Sequence, residues 1–401
     1  MTGEDPLIPA FRRGAWQPSL DTAPLPGDTG LRLALVPEVV AAADRRWWQA
    51  QVAALPGGFD AGARRKLLAA ALELFAGGTV TVPGPGPQSA RDFRRELWRT
   101  AGLPAPLVDR WCGLLRDRVA RQAPVAADDA LVLVSLPGNT FCCLEAVAEQ
   151  AAAAGAVWAR PSRREPLSAA RLVAALLQVG WPPERLGFYP SGQQALPGLI
   201  RLTQRQVVYG GAGLAEAMGD APGLTVRGPG RGCALLPTGF GIAEAVGRLL
   251  PLVVADSGRF CSNVRTIVCP DGPERARELA QALGAALDSV RTSPADPRWP
   301  LTASRVPGEA CRLAEGLLGR LRPGDRLVTR RPVVCRSDGG EFLAPALVLL
   351  AGPVGMTDPH PLVGYEVPFP FAAVVSATAG EAGAIAAGSL FVHRLSAGGA
   401  P

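Results

Sequence analysis

The chain has 401 residues and 48% of them are apolar, so it can bury a large core and is not a disordered polypeptide; its length suits two domains or one large α/β unit. The net charge is +6, yet of 41 basic residues only Lys66 is a lysine, which with the high Ala, Gly and Pro content reads as the coding bias of a GC-rich genome. A nucleic-acid partner would need a clustered basic patch and is not expected.

The first 30 residues are rich in Pro and Gly and read as an irregular lead-in. Apolar spacing predicts helices over 37–54, 61–75, 90–101 and 107–121, with a Pro/Gly turn region over 79–88. At 130 the texture changes. The run Ala130-Leu131-Val132-Leu133-Val134-Ser135 predicts a buried strand, and Leu136-Pro137-Gly138-Asn139 a turn after it. A helix over 142–153, a strand over 156–160 closed by Pro161, a helix over 167–179 and a strand over 186–189 follow. Residues 193–202 form at most a short helix, interrupted at Pro197-Gly198, before a strand over 206–209. This alternation indicates a parallel sheet with crossover helices. A second α/β series starts near Cys233: a helix over 242–249, strands over 252–255 and 327–334, and a helix over 274–289. The hinge-like Gly228-Pro229-Gly230-Arg231-Gly232 divides residues 1–232 from 233–401, two domains sharing one cleft.

Eight cysteines form no C-x-x-C pair, and only His360 and His393 accompany them, so no metal site is expected. The start, Met1 to Asp5, is acidic and lacks an apolar run after a basic one, and no apolar stretch reaches the ~18 residues of a membrane span. The expectation is a cytoplasmic, reduced protein with thiols available for chemistry.

Four places can carry that chemistry. Cys261 lies in Asp256-Ser257-Gly258-Arg259-Phe260-Cys261-Ser262-Asn263, a polar loop that can present a thiol whose thiolate Arg259 and Arg265 would favour; a buried structural cysteine is the other reading. Gly210-Gly211-Ala212-Gly213 follows a strand and can admit a phosphate at a helix N-terminus, or is a plain tight turn. Arg160-Pro161-Ser162-Arg163-Arg164-Glu165-Pro166 ends a strand where a dinucleotide's adenosine ribose sits in open α/β sheets; Arg163 and Arg164 can hold a 2′-phosphate, or line a solvated loop. Glu366 stands in Gly364-Tyr365-Glu366-Val367-Pro368-Phe369-Pro370-Phe371, beside a stiff aromatic segment, or is an ordinary exposed acid.

Taken in order, these segments resemble the aldehyde dehydrogenase superfamily over roughly residues 61–394. Pro137-Gly138-Asn139 is similar to its Pro-x-Asn segment, whose asparagine stabilises the oxyanion. Arg160-Pro161-Ser162 with Pro166 is similar to its Lys-Pro-Ser/Ala…Pro strand end, and Val208-Tyr209-Gly210-Gly211-Ala212 to its Phe-Thr-Gly-Ser turn. Gly258-Arg259-Phe260-Cys261 resembles its Gly-Gln-x-Cys nucleophile loop, Gly340 to Leu347 its Gly-x-Phe-x-x-Pro-Thr-Val segment, and Glu366 to Pro370 its Glu-x-Phe-Gly-Pro segment. The resemblance implies an α/β fold with a Rossmann-type cofactor domain, preceded by helices, over 1–232 and an α/β catalytic domain carrying Cys261 over 233–401.

Where oxidising members keep the glutamate that hydrolyses the acyl-enzyme, 34 residues before the cysteine, this chain has Arg227, which cannot act as a base. Members without that glutamate are acylating, and the chain is most similar to the luciferase-linked fatty acyl-CoA reductases, whose reductant is NADPH. The resemblance therefore implies NADPH-dependent reduction of an acyl thioester, of CoA or of a carrier protein, to an aldehyde. Cys261 would be the nucleophile and Asn139 the oxyanion partner; Arg160, Ser162, Arg163, Arg164, Gly211, Ala212 and Glu366 would bind NADP. Two alternatives stand beside it: an acylating dehydrogenase working in the oxidative direction, and an inactive member serving as a binding subunit. The short ending after Arg394 and the short connection over 121–129 leave little of the hairpin and terminal strand through which the superfamily dimerises.

Overall fold

The apolar run at Leu131–Ser135 is a strand buried at every position, and it stands in the middle of a sheet rather than at an edge. The computed structural model describes residues 6–27, 29–52, 59–123, 127–210, 213, 221–337, 340–352 and 360–396. The chain divides into two compact units: Met1–Ala101 with Leu107–Arg227, and Gly102–Pro106 with Gly228–Pro401.

In the first unit a seven-stranded sheet runs Leu224–Arg227, Arg205–Tyr209, Leu131–Ser135, Ala156–Arg160, Leu186–Phe188, Ala10–Arg12, Ala15–Gln17. The first five strands are parallel. The earliest of these five, Leu131–Ser135, is central; the next two lie to one side of it and the last two to the other. This doubly wound order reverses between Leu131–Ser135 and Arg205–Tyr209 and opens a crevice at the carboxyl ends of the strands there. Helices Leu144–Ala153 and Leu167–Gln178 make the crossovers. On the buried sheet surface Trp158 stacks on Tyr189 with ring centroids 4.2 Å apart.

The first 30 residues are not irregular. Ala10–Arg12 and Ala15–Gln17 form a hairpin that extends the sheet antiparallel to Leu186–Phe188. Its two-residue turn, Arg13-Gly14, has φ values of 51° and 77°, which suits a tight hairpin. Buried Asp44 ties the hairpin down, accepting from Arg12 Nε and Arg13 Nε, each at 2.6 Å. Another hairpin, Val80–Val82 with Gly86–Gln88, occupies the expected turn region.

The second unit is built on a six-stranded sheet ordered Arg326–Leu327, Ala346–Leu349, Phe371–Ser376, Val264–Cys269, Gly232–Leu235, Val392–Arg394. All but the first strand are parallel. Helices Ile242–Val254 and Gly272–Asp288 cover one face, and Glu309–Leu318 and Ala379–Ala387 the other. The expected strand over 252–255 is a correction: these residues finish the helix Ile242–Val254 and begin a 3₁₀ turn. Ala245, Leu249 and Val253 are buried at four-residue spacing, so the apolar run continues a helical face. The strand expected over 327–334 is likewise broken into Arg326–Leu327 and Val334–Ser337, with Pro332, which has no N–H to donate, in the gap. No helix among the described residues is long and apolar enough to cross a membrane.

Candidate functional site

In the second unit, the helix Ile242–Val254 gives way to Asp256, Ser257 and Gly258, which turn left-handed with φ of 54°, 56° and 63°. For the two non-glycine residues this conformation costs of order 1–3 kcal/mol each and persists only where the surroundings hold it. Ser257 Oγ accepts from Thr302 N at 3.0 Å, and Thr302 Oγ1 accepts from Arg259 Nε at 3.0 Å. Asn263 closes the other side. Its Oδ1 accepts from Phe260 N at 2.8 Å, and its Nδ2 donates to the carbonyls of Leu252 and Ala255 at 3.1 and 3.0 Å. A Cβ at Gly258 would lie 2.4 Å from Pro370 N, so only glycine fits there.

Cys261 leaves this turn exposed, just before the strand Val264–Cys269; Cys311 is the other exposed cysteine among the described residues. Glu366 is exposed too, and its Oε1 accepts from Gly230 N at 2.8 Å. A Cβ on Gly230 would meet Cys261 Cβ at 2.5 Å. Cys261 and Glu366 thus both lie against the Gly230 backbone. His393 Nε2 donates to Ser262 O at 3.1 Å. Below the loop, buried Arg265 donates to the carbonyls of Gly258, Val367, Phe369 and Phe371. Burial pulls its guanidinium down to about 10, with Glu366 and Cys261 acting the other way; it stays charged at neutral pH.

The first unit has a cavity of about 340 Å³, lined by Ser135 to Gly138, Arg160, Ser162 to Arg164, Gln193, Leu196, Tyr209 and Gly210. These residues follow the carboxyl ends of four parallel strands and flank the switch point, where open α/β sheets bind ligands. Arg160 is buried and turned inward. Its Nε donates to Ser191 Oγ at 2.8 Å and its Nη1 to Ser135 Oγ at 3.1 Å. Its Nη2 reaches Ser191 O, Gly192 O and Gln193 Oε1. Burial, with Arg163 nearby, pulls Arg160 down to about 10. Arg163 and Arg164 are exposed. What turns them outward is the tight turn behind them. Ser162 Oγ accepts from Arg164 N at 3.2 Å, and buried Glu165 accepts from Ser168 N at 2.9 Å at the start of the next helix. A polar cavity carrying two exposed guanidiniums, a serine and a floor of buried donors fits the phosphorylated ribose of a nucleotide.

Arg227, at the end of the strand Leu224–Arg227, is held by its own unit. Its Nη1 donates to Tyr209 Oη at 3.0 Å and its Nη2 to Glu149 at 3.3 Å. Burial works against this charge, but Tyr209 and Glu149 outweigh it and raise the arginine's pKa. Asn139 is half-buried in the loop before the helix Leu144–Ala153. Gly211 and Ala212 lie outside the described residues.

Sequence reasoning passed over Thr302, Asn263, Tyr209 and Glu149 as members of these networks. Asn263 carried a signal, since an Asn just after a Gly-containing loop is a local cap for backbone groups. Thr302 carried none, because it meets Ser257 across 45 residues.

No protein-family profile matches the chain, and no curated protein does. Solved structures do. An NAD-dependent benzaldehyde dehydrogenase from Corynebacterium glutamicum superposes with a TM-score of 0.74 at 14% identity, covering 98% of this chain and 90% of that one. An NADP-dependent glyceraldehyde-3-phosphate dehydrogenase from Bacillus halodurans, solved with NADP, gives 0.71 at 14% identity, with 96% and 90% covered. A salicylaldehyde dehydrogenase from Pseudomonas putida, solved with salicylaldehyde, gives 0.73 at 15%, with 96% and 83% covered. Identities this low speak for the fold alone, and with the two sheets just described they establish it: the chain has the aldehyde dehydrogenase-like fold, a Rossmann-type unit and an α/β unit of the catalytic-domain type.

Proposed function

We propose that the protein is a nicotinamide-dependent oxidoreductase of the aldehyde level. Within that class, we propose that it reduces an acyl thioester, of CoA or of a carrier protein, to an aldehyde with NADPH. The observation that carries the reading is the exposed Cys261 on a left-handed turn held from three sides, with Glu366 beside it. A thiol so placed attacks the thioester carbonyl carbon. A C–S bond to Cys261 forms, the bond to the carrier sulfur breaks, and the carrier leaves as its thiol. The Cys261 backbone N–H is an oxyanion donor, and the resemblance offers the Asn139 amide as a second. Arg163, Arg164 and Ser162 would hold the cofactor's phosphorylated ribose, Arg160 would brace the floor beneath it, and by resemblance Glu366 would orient the nicotinamide ribose. When bound, a nicotinamide cofactor supplies the hydride. Arg227, fixed by Tyr209 and Glu149, offers no base where oxidising members of the superfamily keep theirs. Hydrolysis of the acyl-enzyme then lacks the roughly 10²–10⁴-fold help of a general base.

The test is intact-mass measurement of the protein mixed with a panel of acyl thioesters without NADPH, followed by a chase in plain buffer. The expected result is a single acyl adduct, absent from Cys261→Ala, that persists in buffer and discharges on adding NADPH or a thiol. An adduct on Cys261→Ala reassigns the nucleophile. Rapid release of carboxylic acid in buffer overturns the reductase reading in favour of a hydrolytic dehydrogenase.

A further inference from the structure

Arg265 is 3% exposed, and it is bonded to main chain alone. Nη2 donates to Gly258 O, in the turn before Cys261, and to Val367 O at 2.9 Å, next to Glu366. Nη1 donates to Phe369 O at 2.9 Å and Phe371 O at 3.4 Å. Its Nε is buried without a partner, and no ion pair joins it to a carboxylate among the described residues. A buried charge without a counter-ion is costly, by several kcal/mol even after relaxation. Four carbonyl dipoles offset part of that cost but bring no negative charge. The ionisable groups whose charge acts on it are Glu366 and Cys261.

We propose that Arg265 is a positioning residue of this site: it clamps the Cys261 turn to the Glu366 segment and supplies the positive charge that favours the Cys261 thiolate. The inference rests on the reading of Cys261 as nucleophile. The clamp follows from reach. One planar fork ties Gly258, three residues before the thiol, to Val367, one residue after the carboxylate, so both reactive groups hang from the same guanidinium. The other charged or titratable groups around the loop are buried Asp256 and Arg259 within it, Arg231 against Gly364, and His393 on Ser262 O. Of these groups, Arg265 alone is a cation lodged in the core beneath the loop.

The experiment measures the rate of iodoacetamide alkylation at Cys261 between pH 5 and 10 by peptide mass spectrometry, with exposed Cys311 as control in the same molecule. Acyl-adduct formation is timed in parallel. Arg265→Met should raise the Cys261 midpoint by about one pH unit, a roughly tenfold slower reaction at pH 7, and leave Cys311 unchanged. Arg265→Lys keeps the charge but cannot span four carbonyls; its midpoint should stay at the wild-type value while adduct formation slows at least about tenfold, or about 1.4 kcal/mol. An unchanged midpoint in Arg265→Met, or a raised one in Arg265→Lys, overturns the charge role. Wild-type adduct formation in Arg265→Lys overturns the clamp, and that variant decides the matter if Arg265→Met does not fold. Should wild-type Cys261 alkylate no faster than Cys311, the nucleophile reading itself fails, whatever Arg265 does.

Discussion

Arg160 closes the floor of the cavity in the first unit, and Arg265 lies under the cysteine loop in the second. Both are buried, and burial pulls both down to about 10. Their partners differ. Arg160 meets two serine hydroxyls, a glutamine amide oxygen and two carbonyls, whereas Arg265 meets four carbonyls and leaves Nε unmatched. Hydroxyls rotate and find other partners; main-chain carbonyls are fixed by the fold. One arginine is therefore a strut in an adaptable polar floor, and the other is a rigid tie whose charge is not cancelled locally.

The sharpest way to break this contrast is to remove each guanidinium and measure unfolding in urea. Arg265→Met should cost about 3–5 kcal/mol, because several buried carbonyls lose their donor at about 1–3 kcal/mol each, less what is regained by removing an unpaired buried charge. Arg160→Met should cost about 1–3 kcal/mol, because Ser135 and Ser191 can re-pair. Equal losses would mean that the kind of partner does not matter. In the first unit, cofactor discrimination should rest on the two exposed arginines rather than on the strut. Replacing both Arg163 and Arg164 with Ser should weaken NADPH binding about tenfold to a hundredfold in a titration, since charged hydrogen bonds contribute about 1.5–3 kcal/mol, and should barely change NADH binding. Equal losses for both cofactors would remove that role from Arg163 and Arg164. The smallest effect concerns Arg227. Tyr209→Phe keeps the ring under the guanidinium, 5.7 Å from its centroid, and removes one hydrogen bond. A loss of about 0.5–1.5 kcal/mol is expected, with the acyl-adduct lifetime unchanged. A shortened lifetime would show that the tyrosine hydroxyl restrains Arg227 for chemistry and not for stability.

How far these networks could be read in advance depends on how local they are. Leu131–Ser135 announces itself because a strand covered on both faces is apolar throughout. The hairpin at Ala10–Arg12 was hidden because each strand has three residues, too few to display a period. Leu252-Val253-Val254 misled because a short apolar run fits a strand and the end of a buried helix equally well. In the site, Cys261 and Glu366 were legible from their neighbours in sequence, and so was the turn at Asp256-Ser257-Gly258 from its residue types. What held that turn was not. Its left-handed backbone depends on Thr302, 45 residues from Ser257, and on Phe369 and Phe371, more than 100 residues from Arg265. The inward turn of Arg160 depends on Ser191, 31 residues on.

The chain's one excursion, Gly102–Pro106, belongs with the second unit although the residues on both sides of it belong to the first. Its anchor is a backbone bond from Ala303 N to Gly102 O at 3.0 Å. A ribosome adding 5–20 residues per second delivers Ala303 roughly 10–40 seconds after Gly102. During that interval the five parallel strands of the first sheet are made, and the five residues wait without their partner. A fragment starting at Gly228 would be born without them and would leave the N–H of Ala303 without its carbonyl. The two units are not separate in the order of the chain, so severing them cleanly requires a permuted chain or a peptide that returns residues 102–106.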